Sequence, residues 1–248
     1  MKTLGVIPAR YASSRLQGKV IADLCGKPLI QWVHERSQKA SLLNELVVAT
    51  DDERMCNAVK KFGGKIVMTD VNHPNGTSRA AEAAKDMDAD IVIIIQGDEP
   101  LISSVMINET IKLLLDNPSD VAATLVRPVA PDDVHNIGVA KTVFDKNSYA
   151  LYFSRSLIPY PHTDNAVKVY EHIGIFAYTK DFLLTYASLP ETPLSKAESL
   201  EQLKVLEHGY KMRVAITECE QPGFCVDTPE DLERMREYFI KNGYHLSR

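Results

Sequence analysis

The chain has 248 residues, 45% hydrophobic and 25% charged, which fits one large α/β domain or two small ones with a sizeable core. Its formal net charge of −5 argues against a general nucleic-acid binder, which needs a basic field to replace phosphate counterions. Cys25, Cys56, Cys219 and Cys225 form no CxxC pair and no zinc-like spacing, so they read as buried or idle thiols; with no membrane-length apolar run and no secretory leader, the chain reads as cytoplasmic.

Residues 3–8 (TLGVIP) predict a buried strand, followed by a basic segment carrying Arg10, Arg15 and Lys19. Residues 28–39 predict a helix with Pro28 in its first turn, and 46–49 a strand. Thr50-Asp51-Asp52-Glu53 suits the positive end of a helix running to about Phe62, which Gly63-Gly64 end. A short strand at 65–68 and a helix at 78–87 follow. Ile91-Val92-Ile93-Ile94-Ile95 is unbroken and β-branched, the pattern of a strand covered on both faces at the centre of a parallel sheet. A helix near 104–115 and a strand near 121–126 continue the alternation.

The rhythm changes near residue 130. Segments 139–144 and 149–153, joined by Asp145-Lys146-Asn147, predict a hairpin, and 157–170 a long loop. Residues 172–178 predict a strand and 180–187 a helix; 195–207 predict one further helix with Leu200, Leu203 and Leu206 on a stripe. A strand at 212–217 precedes Thr228-Pro229-Glu230-Asp231, which opens the last helix with an N-cap, a first-turn proline and early acids. The fold expected is α/β: a doubly wound, mostly parallel sheet with an irregular α+β insertion in the second half. Residues 1–248 form a single domain, with about 130–210 as the insertion.

Ligands on such sheets sit outside the carboxyl ends of the strands, so the polar residues there are the candidates. The segment VIPARYASSRLQGKV fails as a GxxxxGK[ST] phosphate loop: Ser13 stands for the first glycine and Val20 for the hydroxyl. Arg10, Arg15 and Lys19 still suit convergence on phosphate oxygens, the arginines as planar forks and the lysine as a point charge; a solvated basic loop is the alternative. The central strand ends in Gln96-Gly97-Asp98-Glu99-Pro100. Asp98 points at the crevice, Gly97 permits close approach, and a carboxylate there suits Mg2+ bridging to phosphates; a plain turn competes. Asp227, after Phe224-Cys225-Val226, is a second acid at a strand-to-helix switch, where a helix-dipole charge is the bland reading. Together the three describe a triphosphate grip beside a metal.

The segments IPARYASSRLQGK, VVATDDER, NGTSR, IQGDEP, ALYFSRSLIPY, EHIGIFAY, LEQLKVLEHG and VDTPEDLE resemble, in that order and over nearly the whole chain, the 3-deoxy-manno-octulosonate cytidylyltransferase family. The resemblance implies a nucleotide-diphospho-sugar transferase-like fold, a homodimer, Mg2+ dependence, and the joining of CTP to 3-deoxy-manno-octulosonate (Kdo) with release of pyrophosphate, which activates Kdo for lipopolysaccharide synthesis. Carried over, Ala9, Arg10, Arg15 and Lys19 line the triphosphate, Lys19, Arg10 and Asp98 serve the transfer itself, and Asn75, Gly76, Thr77 and Gln96 lie near the nucleoside. Asp98 and Asp227 hold Mg2+. Arg155, His172, Gly174, Glu201 and Gln202 face the sugar acid, and the 130–210 insertion binds the sugar and forms the dimer. From residues alone, His172 is equally a structural histidine and Glu201-Gln202 a solvated helix face.

The chain departs from the family where Gln17 and Val20 replace prolines of a PGKP run, where Ser78 stands for an acid, and where Phe176 and Thr179 stand for Tyr and Arg. These departures bear on the sugar more than on the nucleotide. Another acidic sugar, 8-amino-Kdo or a sialic acid, shares the chemistry. A metal-dependent glycosyltransferase and a silent nucleotide-binding homologue are the readings outside the class. The expected partners are small molecules, with neither nucleic acid nor membrane insertion.

Overall fold

The computed structural model describes residues 1–12, 15–162, 167–220 and 225–244. Ser13, part of the expected loop 157–170, and Phe224 lie outside them. In the first half the elements are β1 (Thr3–Pro8), β2 (Asp23–Leu24), β3 (Lys27–Pro28), α1 (Leu29–Ser37), β4 (Glu45–Thr50), α2 (Glu53–Lys61), β5 (Lys65–Met68), α3 (Gly76–Ala84), β6 (Ile91–Ile95) and α4 (Ser104–Asp116). The second half adds β7 (Ala122–Pro128), β8 (Lys141–Phe144), β9 (Ala150–Ser154), β10 (Tyr170–Thr179), α5 (Lys180–Ser188), α6 (Pro193–Glu198), α7 (Gln202–Glu207), β11 (Arg213–Ile216) and α8 (Pro229–Lys241).

The main sheet runs β11-β7-β10-β6-β1-β4-β5, with the β8–β9 hairpin attached through β8 to β10. β4, β1 and β6 are mutually parallel, β5 pairs parallel with β4, and β11 pairs parallel with β7. Every residue of β6 is fully buried, as its unbroken β-branched run predicts. Alternate strand residues feed two cores. One packs Ile7, Val48 and Ile93 under α1, α2, α4 and α8; the other packs Val6, Val47 and Ile94 under α3, α5 and α7.

Three details differ from the sequence expectation. β10 is antiparallel and inserts between β6 and β7. The chain leaves β7 at its carboxyl end and returns from the same end through the β8–β9 hairpin, so no crossover turns it round. Residues 130–210 therefore contribute a central strand as well as irregular structure. The start of β10, not its end, then lies on the ligand edge. The single helix expected over 195–207 is two six-residue helices broken at Ser199, which is left-handed with φ 52°. Leu200 and Leu203 are buried, but they are not on one helix. The helix expected at 78–87 runs instead from Gly76 to Ala84, behind an Asn75 cap whose side chain accepts from the Ser78 N–H at 2.9 Å.

The hairpin turn forms as expected. The Asp145 carboxylate accepts from the backbone N–H groups of Asn147 and Tyr149, both at 2.9 Å. The last helix carries a full capping box between Thr228 and Asp231. Among the described residues no helix is long and apolar enough to cross a membrane.

Candidate active site

One cleft of about 650 Å³ opens over the carboxyl edge of β1 and β6 and the start of β10. Its lining includes Ala9, Arg10, Arg15 and Lys19 from the basic segment, Asn75 and Gly76 from the start of α3, and Gln96 and Asp98 beyond β6. Arg155, His172, Gly174, Glu201 and Gln202 form the opposite wall, and Asp227 closes one end. Of the residues selected from sequence, Thr77 alone is absent from the lining. Its side chain is fully buried and lies against the Glu201 carboxylate, so among the described residues it sits behind the wall rather than on it.

The basic segment is held at both ends. The Ala9 N–H donates to the Ala49 carbonyl at 2.9 Å, and the Gly18 N–H to the Tyr11 carbonyl at 2.9 Å. Gly18 is left-handed, φ 65°, and a Cβ there would stand 2.9 Å from the Tyr11 ring, so both backbone and space require glycine. Val20, where the resemblance leads one to expect proline, is 4% exposed and packs in the core beside Ile7 and Leu24. Burial thus anchors the lysine turn without a proline. Arg10 is exposed and forms no ion pair among the described residues, leaving its guanidinium for an anion.

The two acids converge. Lys19 Nζ donates to the carboxylates of Asp98 and Asp227, the latter at 2.7 Å, and Arg15 Nη2 pairs with the other Asp227 oxygen at 2.9 Å. The Val226 N–H donates to the Asp98 carbonyl at 3.0 Å, and this bond brings the two segments together. Burial alone would lower Lys19, but Asp98 and Asp227 outweigh it and raise its pKa. One ammonium shared by two carboxylates marks a point where a cation is stabilised from two sides, so the donor set fits a hard, oxygen-seeking divalent ion. Cys225 Sγ belongs to the same group, one ligand atom from each residue lying within 4.8 Å of the others. Desolvation, then Asp98, Glu99 and Asp227, push the thiol well up. Cysteine spacing does not show this proximity; its place two residues before Asp227 is the one sequence signal.

The opposite wall carries a charge and unpaired polar groups. Arg155 donates from Nε to the Glu198 carbonyl at 2.8 Å, from Nη1 to the Ile137 carbonyl at 3.1 Å, and from Nη2 to the Ser199 carbonyl at 3.2 Å. All three are neutral acceptors, so its charge is oriented and not cancelled. Glu201 Oε2 and Gln202 Nε2 are buried without a protein partner, a situation that costs about 1–3 kcal/mol per group unless a ligand supplies the bond. Burial pushes the Glu201 carboxyl up, against the opposing pull of Thr77 and Lys204. Gly174 makes room: a Cβ there would lie 2.5 Å from Glu99 Oε1.

Glu99 was selected only as part of a motif. Burial first, then Asp98, raise its carboxyl to about 7. Arg79, buried under Asn75, was also missed; it donates to Thr69 Oγ1 at 2.5 Å and pairs with Asp51 at 3.1 Å. It followed directly from the NGTSR run, but nothing in one dimension showed that it faces the cleft. Thr179 stands away from the cleft and caps α5, so its departure does not touch the site. Phe176 does line it, against the His172 ring at 5.1 Å.

His172 is neutral. Burial lowers its pKa to about 3, and Phe153 and Phe176 flank the ring. Thr124 Oγ1 donates to the Ile175 carbonyl at 2.7 Å, so its 2.8 Å contact with His172 has Nε2 as donor. Between pH 6.5 and 3 the unfolded chain binds a proton that the folded chain refuses, so stability falls as pH drops through that window. His172→Asn is expected to reduce the loss of unfolding free energy between pH 8 and 5 by up to about 2 kcal/mol in urea titrations. Identical losses in both proteins would contradict a neutral imidazole.

A family model described as Cytidylyltransferase matches residues 4–214. A 3-deoxy-manno-octulosonate cytidylyltransferase of Fusobacterium nucleatum subsp. nucleatum is 47% identical over 248 residues, spanning 99% of this chain and 100% of the relative. Another, from Geotalea uraniireducens, is 47% identical over 253 residues, spanning 97% and 100%. The solved structure of CMP:2-keto-3-deoxy-manno-octonic acid synthetase complexed with CTP superposes with a TM-score of 0.92 at 41% identity, covering 98% of this chain and 100% of that one.

Proposed function

The chain belongs to the 3-deoxy-manno-octulosonate cytidylyltransferase family, and from that premise we propose that its cleft joins CTP and Kdo to give CMP-Kdo and pyrophosphate. The observation that carries the reading is the division of one cleft: Arg10, Arg15, Lys19 and two convergent carboxylates on one side, an uncancelled arginine and unpaired buried polar atoms on the other.

Arg10, Arg15 and Lys19 bind the triphosphate oxygens. Their charges stabilise the transferring phosphoryl group and the departing pyrophosphate. Arg155 takes the sugar carboxylate, for which a planar guanidinium is the matched donor. Gln202 Nε2 donates to a sugar hydroxyl and Glu201 Oε2 accepts from one. The anomeric hydroxyl held by this wall gives up its proton to solvent and its oxygen forms a bond to the α-phosphorus as the bond from that phosphorus to the bridging oxygen of pyrophosphate breaks. Positioning the two reactants supplies most of the acceleration. Asp98 and Asp227 would hold Mg2+, which when bound supplies charge neutralisation at the α-phosphate and a more acidic attacking hydroxyl. Lys19 must then shift its ammonium from the carboxylates to the phosphates.

The test is pyrophosphate release from CTP with Kdo, 8-amino-Kdo and a sialic acid in parallel, with and without Mg2+. Release with Kdo that requires the ion is expected. Equal release with a sialic acid would overturn the sugar assignment, and none with any acid sugar would overturn the enzyme. The proposal includes a cytoplasmic homodimer, supported by the family resemblance and by the outer edge of β9, which pairs with β8 alone among the described strands and leaves Leu151 61% exposed. Light scattering at the mass of one chain would remove the dimer.

A further inference from the structure

Lys141 stands in β8, outside the cleft lining, and is fully buried at 0% exposure. Lysine is almost never so enclosed unless paired. Yet Lys141 forms no ion pair among the described residues. Its Nζ donates to the Asn136 carbonyl at 2.5 Å and the Arg155 carbonyl at 3.2 Å. Burying an ammonium carries a desolvation cost that its two carbonyl bonds and the pull of Asp133 and Glu171 offset only in part, so the question is what those two bonds achieve.

What the ammonium does have is a place in the support of Arg155. It ties the 136–137 turn to the main chain of Arg155. Ile137, next to Asn136, accepts from Arg155 Nη1 at 3.1 Å. From the other side the Glu198 carboxylate accepts from Ser154 Oγ at 2.7 Å and the Arg155 N–H at 2.9 Å, while the Glu198 and Ser199 carbonyls hold Nε and Nη2. The break at Ser199, φ 52°, turns its carbonyl to that task. Backbone and guanidinium of Arg155 are thus fixed by α6 on one side and by Lys141 on the other. Without Lys141 the 136–137 turn keeps its internal bonds but loses its tie to the main chain of Arg155, which frees the Ile137 carbonyl to drift from Nη1.

We propose that Lys141 is a positioning residue for the acid-sugar site, acting through the 136–137 turn and the main chain of Arg155 to aim the guanidinium at the substrate carboxylate. This rests on the reading that Arg155 binds that carboxylate.

The test is steady-state kinetics with CTP and Kdo for Lys141→Met, Arg155→Ala and the double variant. Lys141→Met is expected to raise the KM for Kdo about tenfold and leave the KM for CTP within about twofold, and to add nothing further on top of Arg155→Ala. Lys141→Gln, which keeps one donor to a carbonyl, should give a smaller rise in the same direction; it carries the same readouts if the methionine variant does not fold. No change in the KM for Kdo, equal rises for both substrates, or the same penalty in the Arg155→Ala background would overturn the proposal and leave the role of Arg155 standing. An unchanged KM for Kdo in Arg155→Ala alone would overturn that role and the proposal with it.

Discussion

Replacing Asp98 by Asn is expected to lower turnover about a thousandfold while leaving the protein folded. The amide keeps the size of the side chain and removes its charge, and the Asp98 carbonyl that receives the Val226 N–H is untouched. Lys19 keeps Asp227 at 2.7 Å, so no buried ammonium is stranded. The loss then belongs to the carboxylate itself, one of two that converge on a cation. Pyrophosphate release under saturating CTP, Kdo and Mg2+ reads the effect, with circular dichroism and the thermal midpoint as the fold check. Turnover within a few-fold of wild type would remove Asp98 from the metal-binding pair.

Lys19→Met is expected to reduce kcat/KM for CTP by about a hundredfold or more, the scale of losing one charged donor at a transferring phosphoryl group. The side chain is 14% exposed and mediates between two acids. Its removal therefore also leaves Asp98 and Asp227 to repel each other. That repulsion favours any divalent cation that replaces the ammonium. The variant should accordingly bind Mn2+ more tightly than wild type in the absence of CTP, read by electron paramagnetic resonance. A weaker CTP interaction with no gain in Mn2+ affinity would show that the ammonium and the ion do not share the carboxylates.

These two residues also show how much was legible in one dimension. The buried strands at 3–8 and 91–95 are plain from their apolar runs, and the rule that ligands gather at strand carboxyl ends singles out Arg10, Lys19, Asp98 and Asp227 from position alone. The helix start at Thr228 was equally plain, since a cap, a proline and early acids act locally. Thr77 is set apart from Asn75 and Gly76 only in three dimensions: they line the cleft while its side chain is fully buried. The stripe Leu200-Leu203-Leu206 satisfied helical periodicity although Ser199 breaks the chain, because periodicity records which side is buried and not whether the helix is continuous.

By itself, then, the sequence determined the alternating α/β order, the strand-end residues and, through its ordered motifs, the family. Only the tertiary structure decided that β10 runs antiparallel in the middle of the sheet, so that His172 and Gly174 at its start reach the ligand edge. It alone brought Lys19 onto Asp227 across 208 positions, put Cys225 beside them, and buried Lys141 behind Arg155. The physical reason is one of range. Caps, turns and apolar periods act over a few residues and are written where they act. The charge environment of a side chain is set by whichever strands the sheet places next to it, and that depends on the path of the whole chain.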